Sequence, residues 1–154
     1  MHKRLCAAFA LSFCLSLGLQ AALAGSASID QSGTYTYTVV RQNGHKTKTK
    51  TRQIDEARYD QLNEKLAMKV ERINERGGLG RCRTGSGPAN RGSVNQDGYS
   101  NQASISQYGT NNSATIDQPG SDNIAYTVQL GSNHQAQTTQ DGDHNIAFIL
   151  QRCR

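Results

Sequence analysis

Apolar residues fall along this chain in three different patterns, and each predicts a different element. Residues 5–19 are a nearly continuous apolar run, preceded by His2-Lys3-Arg4 and followed by Ala22-Leu23-Ala24. A basic start, an apolar middle and a small-x-small end make a secretory signal peptide over residues 1–24, and such a run falls short of the ~20 residues needed to span a bilayer. Cys14 follows Phe13 rather than a small residue, so lipidation is not expected. Tyr59, Leu62, Leu66, Val70 and Ile73 recur at spacings of 3, 4, 4 and 3 among Glu, Lys, Arg and Asp. That stripe predicts one amphipathic helix over residues 55–76, opened by Asp55 and Glu56 and stopped by Gly77-Gly78. Its apolar face must pack on its own protein or on a partner.

The third pattern is an alternation carried by a repeat. Gln96, Gln107, Gln118, Gln129, Gln140 and Gln151 are eleven residues apart. Two positions after the first five come Gly98, Gly109, Gly120, Gly131 and Gly142. Asn101, Asn112, Asn123, His134 and Asn145 follow at the fifth position, and Ala103, Ala114, Ala125, Ala136 and Ala147 at the seventh. The unit Gln-x-Gly-x-x-Asn-x-Ala-x-x-x reads as a strand and a turn, with Gly free to take positive φ and Asn able to bond local backbone. Asn, Ala, an Ile/Val/Thr column and Gln occupy every second position and so share one face. Two units per rung would set like residues about 4.8 Å apart and stack the amides into ladders. Outward positions then gather Tyr126, Val128, Phe148 and Leu150 on one face, a contact surface for the helix or a neighbouring filament, with Thr115, Asp117, Gln137 and Thr139 on the other.

The same ruler runs upstream. Gln31, Gln42 and Gln53 are also eleven apart, with Gly33 and Gly44 at the matching offset, and Ala27-x-Ile29-x-Gln31 copies Ala103-x-Ile105-x-Gln107. Gly87 to Gln96 is a degraded unit of the same kind, and the ruler is interrupted between Gln53 and Gln96. The expected organisation is a leader (1–24), N-terminal strand units (25–53), a helical insert (54–77), a Gly/Arg-rich linker (78–93), the main repeat block (94–151) and a basic tail (152–154).

Composition narrows what such a chain can be. Apolar residues are 35% of the whole but only about 28% after residue 24, against roughly 45–50% with glycine included in ordinary domains. A large aliphatic core is excluded, and a fixed period argues against disorder; stacked amides and a thin dry seam can order so polar a chain. The net charge is +5, and loss of Lys3 and Arg4 with the leader leaves +3, which names no partner and no specific nucleic acid.

Candidate chemistry adds little. Cys82 and Cys153 are the cysteines beyond the leader; they could form one intrachain disulfide, stay as thiols or link two chains. A bridge closing a loop of about 70 residues would add ~4 kcal/mol on the chain-entropy estimate. Asp141-Gly-Asp143-His-Asn145 imitates the opening of a calcium loop, but Ile146 stands where the turn glycine belongs and Arg152 where the bidentate Glu belongs. No nucleophile-base pair, paired carboxylates, metal site or cofactor fingerprint is present, so the expectation is not an enzyme. Lys46, Lys48 and Lys50 alternate with Thr47, Thr49 and Thr51, a row that protects a strand edge or meets acidic polysaccharide or the cell surface.

The units Gln107-Tyr-Gly-Thr-Asn-Asn-Ser-Ala-Thr-Ile-Asp-Gln118 and Gln118-Pro-Gly-Ser-Asp-Asn-Ile-Ala-Tyr-Thr-Val-Gln129 resemble the curlin repeat of bacterial curli, the extracellular amyloid fibres of biofilms. The resemblance is strong over 96–151 and weaker over 27–53. It implies a mainly β chain, a curlin-type β-solenoid of 11-residue strand-turn units with one inserted amphipathic α-helix. It also implies export through the periplasm by the curli secretion apparatus, fibre formation with itself or other curlin subunits, and no transmembrane segment once the leader is gone. Total length and the basic end Gln151-Arg-Cys-Arg154 resemble the minor, nucleating curlin. The helical insert and the two cysteines lie outside the curlin pattern. The alternatives are a curli accessory protein that caps or tethers the fibre and, from another class, a soluble secreted solenoid that binds polyanions or the cell surface through outward rows such as Thr34-Tyr-Thr-Tyr-Thr38.

Overall fold

The computed structural model describes residues 25–76 and 87–153. The expected leader, Cys82 and most of the Gly/Arg-rich stretch lie outside the described residues. The described elements are β1 (Ser26–Thr34), β2 (Thr36–Asn43), β3 (Lys46–Gln53), α1 (Glu56–Glu75), β4 (Arg91–Asp97), β5 (Gln102–Tyr108), β6 (Ser113–Pro119), β7 (Ile124–Leu130), β8 (Gln135–Asp143) and β9 (Ile146–Arg152). The fold is mainly β with one helix.

The strands form two open sheets, neither closed on itself. Sheet A runs β1-β8-β6-β4 and sheet B runs β3-β2-β9-β7-β5. Each consecutive pair, β4/β5, β6/β7, β8/β9 and β1/β2, gives one strand to each sheet and makes one tier. Tiers stack in parallel, with Ala114 beside Ala136 and Gln129 beside Gln151. Eleven residues therefore cross from one sheet to the other, and twenty-two return to the same column one tier on.

Spatial order departs from chain order. The N-terminal pair stacks beyond the C-terminal one, with Gln31 opposite Gln140 and Gln42 opposite Gln151. The chain thus builds the last tier first and must then return to the far end of the stack to begin β4. At ~1.5 Å per residue, 20 residues of helix reach about 30 Å, more than the ~15 Å of three strand spacings between β2 and β5. Helix α1 makes this return journey lying across β7 and β9. Asp55 caps its start, its side chain accepting from Arg58 N at 2.8 Å.

The expected spacing of eleven also continues to Gln53, yet β3 does not add a fifth tier. A two-residue loop, Gly44-His45, reverses the chain, with Gly44 at φ 56°, and β3 pairs antiparallel with β2. Glycine at the first loop position is what a tight hairpin of this hand requires. Gln53 then falls opposite Thr36, outside the glutamine columns, and its amide donates to Thr34 O.

Two cores result. Between the sheets lies a seam of Ala27, Ile29, Val40, Ala114, Ile116, Ala125, Ala136, Ala147 and Ile149. Alanine in every tier lets the sheets approach closely. On the outer face of sheet B, Val39, Tyr126, Val128, Phe148 and Leu150 pack against Leu66 and Val70 of α1, with Tyr59, Leu62 and Ile73 at the margin. Lys69 lays its ammonium 4.7 Å from the centre of the Phe148 ring. The outer face of sheet A stays polar, with Thr115 and Gln137 exposed. The apolar patch expected on one side is the seat of the helix.

Candidate assembly interface

The inward amides are the organised chemistry of this molecule. In sheet A, Gln96 Nε2 donates to Gln118 Oε1 at 2.8 Å, Gln118 to Gln140 at 2.7 Å, and Gln140 to Gln31 at 2.8 Å. In sheet B, Gln107 donates to Gln129, Gln129 to Gln151 and Gln151 to Gln42, each at 2.8 Å. All donors point the same way, from the β4/β5 end toward β1/β2. The second amide hydrogen crosses the seam: Gln107, Gln129 and Gln151 donate to the carbonyls of Arg91, Ser113 and Gln135 at 2.9 Å. Each of these three glutamines thus joins two tiers and also ties sheet B to sheet A. Buried amides so satisfied contribute about 0.5–1.5 kcal/mol per bond, and leaving one without its partner costs about 1–3 kcal/mol.

Asparagines perform the same duty at the turns. Asn101, Asn112, Asn123 and Asn145 donate to the carbonyls of Gly120, Gly131, Gly142 and Gly33, over 2.7–2.9 Å. Their Oδ1 atoms accept backbone N–H from the next tier, as from Asn123 N and Asn145 N. Asn90, in the degraded unit, starts one of these columns by donating to Gly109 O at 3.0 Å and accepting from Asn112 N.

Turn glycines stack as tightly as backbone permits. Gly98, Gly109, Gly120, Gly131 and Gly142 all have φ between 111° and 123°. A Cβ on Gly120 would lie 2.1 Å from Gly142 O, so no side chain fits. A second left-handed position went unread in the sequence: Ser100, Asn111, Asp122, Asn133, His144 and Tyr35, two residues after the glycine, have φ between 54° and 63°. The signal was present, since Asn, Asp and His tolerate that region best. Gln31 and Gln42, seen on the ruler, are the terminal members of the two ladders.

Two members of the repeat carry other side chains. His134 replaces asparagine; its N–H donates to Asn112 Oδ1 at 3.0 Å, and its Nε2 lies 3.1 Å from Leu130 O, so Nε2 holds the proton. Nδ1 is buried without a partner. Burial lowers the His134 pKa, only partly opposed by the bond to Leu130. Cys153 stands beside Gly131 in the glycine column and is disulfide-bonded. Across the molecule, Tyr35 stacks on His144 at 4.7 Å between ring centres, and the Tyr59 hydroxyl donates to Asp122 O, fastening α1 to the turns. Burial first, and then Asp122, push the Tyr59 pKa up to about 12, so the phenol stays a donor.

Residues 87–120 and 109–142 each match the family model of the curlin associated repeat. This is a curlin-repeat protein. Each match spans about one tier and a half, and the two overlap on the β6 tier, where the ladders are unbroken. The β1/β2 tier lies outside both matches, yet its glutamines continue both columns of the curlin repeat. Nothing matches the chain among curated proteins or solved structures. The curlin-repeat family is structural and non-enzymatic, and subunits of this type self-assemble into fibres. Among the described residues no group of three His, Cys, Asp or Glu could hold a metal ion, and no helix is long and apolar enough to cross a membrane.

Proposed function

We propose that this curlin-repeat protein is a secreted subunit or nucleator of an extracellular cross-β fibre serving biofilm and adhesion, folded as a β-solenoid whose tiers stack on those of neighbouring subunits. The observation that carries this reading is the pair of one-way glutamine ladders, each tier repeating the last in parallel register. At its β4/β5 edge a strand stack of that kind has no intrinsic stopping point, because the backbone and amide groups there are those each tier offers the next. Residues 1–24 export the chain, residues 78–93 link the helix to the main block, and Cys82 is the partner of Cys153. The bridge forms after the chain has passed the secretion apparatus, which in this family takes unfolded polypeptide.

A seeded thioflavin assay tests the ladder. Gln118→Ala combined with Gln140→Ala should slow templated growth far more than Ser104→Ala combined with Thr139→Ala, whose side chains face outward. Equal rates would refute the mechanism. Curlin-repeat fibres that incorporate the mature chain should also give a reflection at about 4.7–4.8 Å; a mature chain with β-rich dichroism that never joins such fibres would instead support a soluble binding module.

A further inference from the structure

The two ends of the strand stack are built differently, and we infer that the protein is an end piece: it takes one neighbour, the donor end of a fibre made from another curlin-repeat chain, at β4 and β5, and is shut to a neighbour beyond β3. This deepens the fibre reading and rests on it.

The shut end has its next place already filled in sheet B, while β1 is the edge strand of sheet A. Beyond β2 in sheet B lies β3, antiparallel, where a following tier would set a parallel strand. Thr47 falls opposite Gln42, so the column meets threonine where it would need glutamine. In sheet A, Gln31 spends its amide hydrogens on Thr36 O at 3.0 Å, Thr38 Oγ1 at 3.1 Å and Ile146 O at 3.3 Å, all in its own tier or the β8/β9 tier behind it. The seam is covered here, with Ile29 and Val40 only 3% and 2% exposed. All of β3 is exposed and alternates Lys with Thr, and a row of like charges on an edge strand repels further strands.

At the opposite end β4 and β5 each have a single partner strand among the described residues. Here the seam is open: Val94, in the column of Ile116, is 46% exposed, and Gly92 brings no side chain to the column of Ala114. Gln96 and Gln107 direct their donors into the stack at Gln118 and Gln129, which leaves Oε1 of each facing out. An arriving tier must therefore bring two glutamine Nε2 donors eleven residues apart, in parallel register, with an aliphatic side chain to cover Val94.

A second copy cannot supply them. Stacked head to head it would set Oε1 against Oε1, and stacked head to tail it would meet β3. The fitting occupant is the end of a curlin-repeat fibre whose last tier has no antiparallel hairpin.

The test uses the full chain carrying a gold tag and fibres assembled from a synthetic polypeptide, five copies of the unit at residues 107–117. Electron microscopy should find gold at one tip of each fibre, and monomer addition at that tip should fall at least tenfold once occupied. Val94→Asp and Val94→Lys, at an exposed position, should keep the wild-type dichroism and cut tip labelling at least tenfold. Gold at both tips, gold inside fibres after further growth, or undiminished labelling by both variants would overturn the end-piece assignment. Wild-type protein that labels no tip would sink the fibre reading itself.

Discussion

The seam between the sheets and the layer between sheet B and α1 are both dry, but they are held by different physics. The outer layer is an ordinary hydrophobic contact: Phe148, Val128 and Leu150 meet Leu66 and Val70, and stabilisation follows buried area whatever the shapes involved. In the seam every amide has a stated donor or acceptor one tier away, so a side chain is right only in its own column. A slip by one residue would turn each inward Gln outward. The difference teaches where specificity lies. The outer layer holds the return helix in place and tolerates change, while the seam sets register and does not.

The strongest way to break the seam is through its backbone. Gly120→Ala puts a Cβ against Gly142 O at a φ of 112° and should cost more than about 4 kcal/mol, read as loss of the folded state in denaturant titration. Gly33→Ala has a similar φ but nothing within 4 Å, and should cost only about 1–3 kcal/mol. Methionine sharpens the contrast between the two cores. Gln129→Met keeps the volume but strands Gln107 Nε2, Ser113 O and Gln151 Oε1, for an expected loss of about 2–4 kcal/mol. Leu66→Met, in the outer layer, should lose less than about 1.5 kcal/mol. Similar losses for the two would remove the distinction.

A subtler effect is pH dependence at His134. Its pKa is lowered by burial, so the unfolded chain takes up the proton first as pH falls below about 6.5, and stability drops from there. Above that pH both states are neutral and the effect vanishes. In His134→Asn the urea midpoint should lose the part of its acid dependence due to this residue; an unchanged slope between pH 8 and pH 5 would contradict it. The smallest change expected is a gain. Thr127 Oγ1 is buried without a partner in the aliphatic column, and Thr127→Val should raise stability by about 1 kcal/mol, seen as a higher melting temperature.

Periodic features were readable in the sequence because a spacing of eleven fixes which side chains share a column. The same holds for the helix, whose stripe from Tyr59 to Ile73 is a local signal. What could not be read was which tier lies next to which. Gln31 and Gln42 fit the ruler equally well before Gln96 or after Gln151, and only pairing across 109 residues decides. The reversal of β3 was hidden for another reason. Gly44 serves both as the repeat's turn glycine and as a hairpin glycine, and the alternation of Lys and Thr suits a strand of either direction. Among the assembly residues, the glutamine columns follow from spacing alone, whereas their common donor direction depends on how each amide is turned.

The placement of the first tier beyond the last also sets a clock. Strands β1 and β2 leave the ribosome before any other strand described here, yet their parallel partners β8 and β9 are made last. Until those residues exist, Ala27, Ile29 and Val40 have no finished seam to enter, and a lone hairpin of β2 and β3 is marginal in water. Completion of the fold waits on the slowest kind of contact, one between distant parts of the chain. The molecule thus stays unfinished for as long as it is being made.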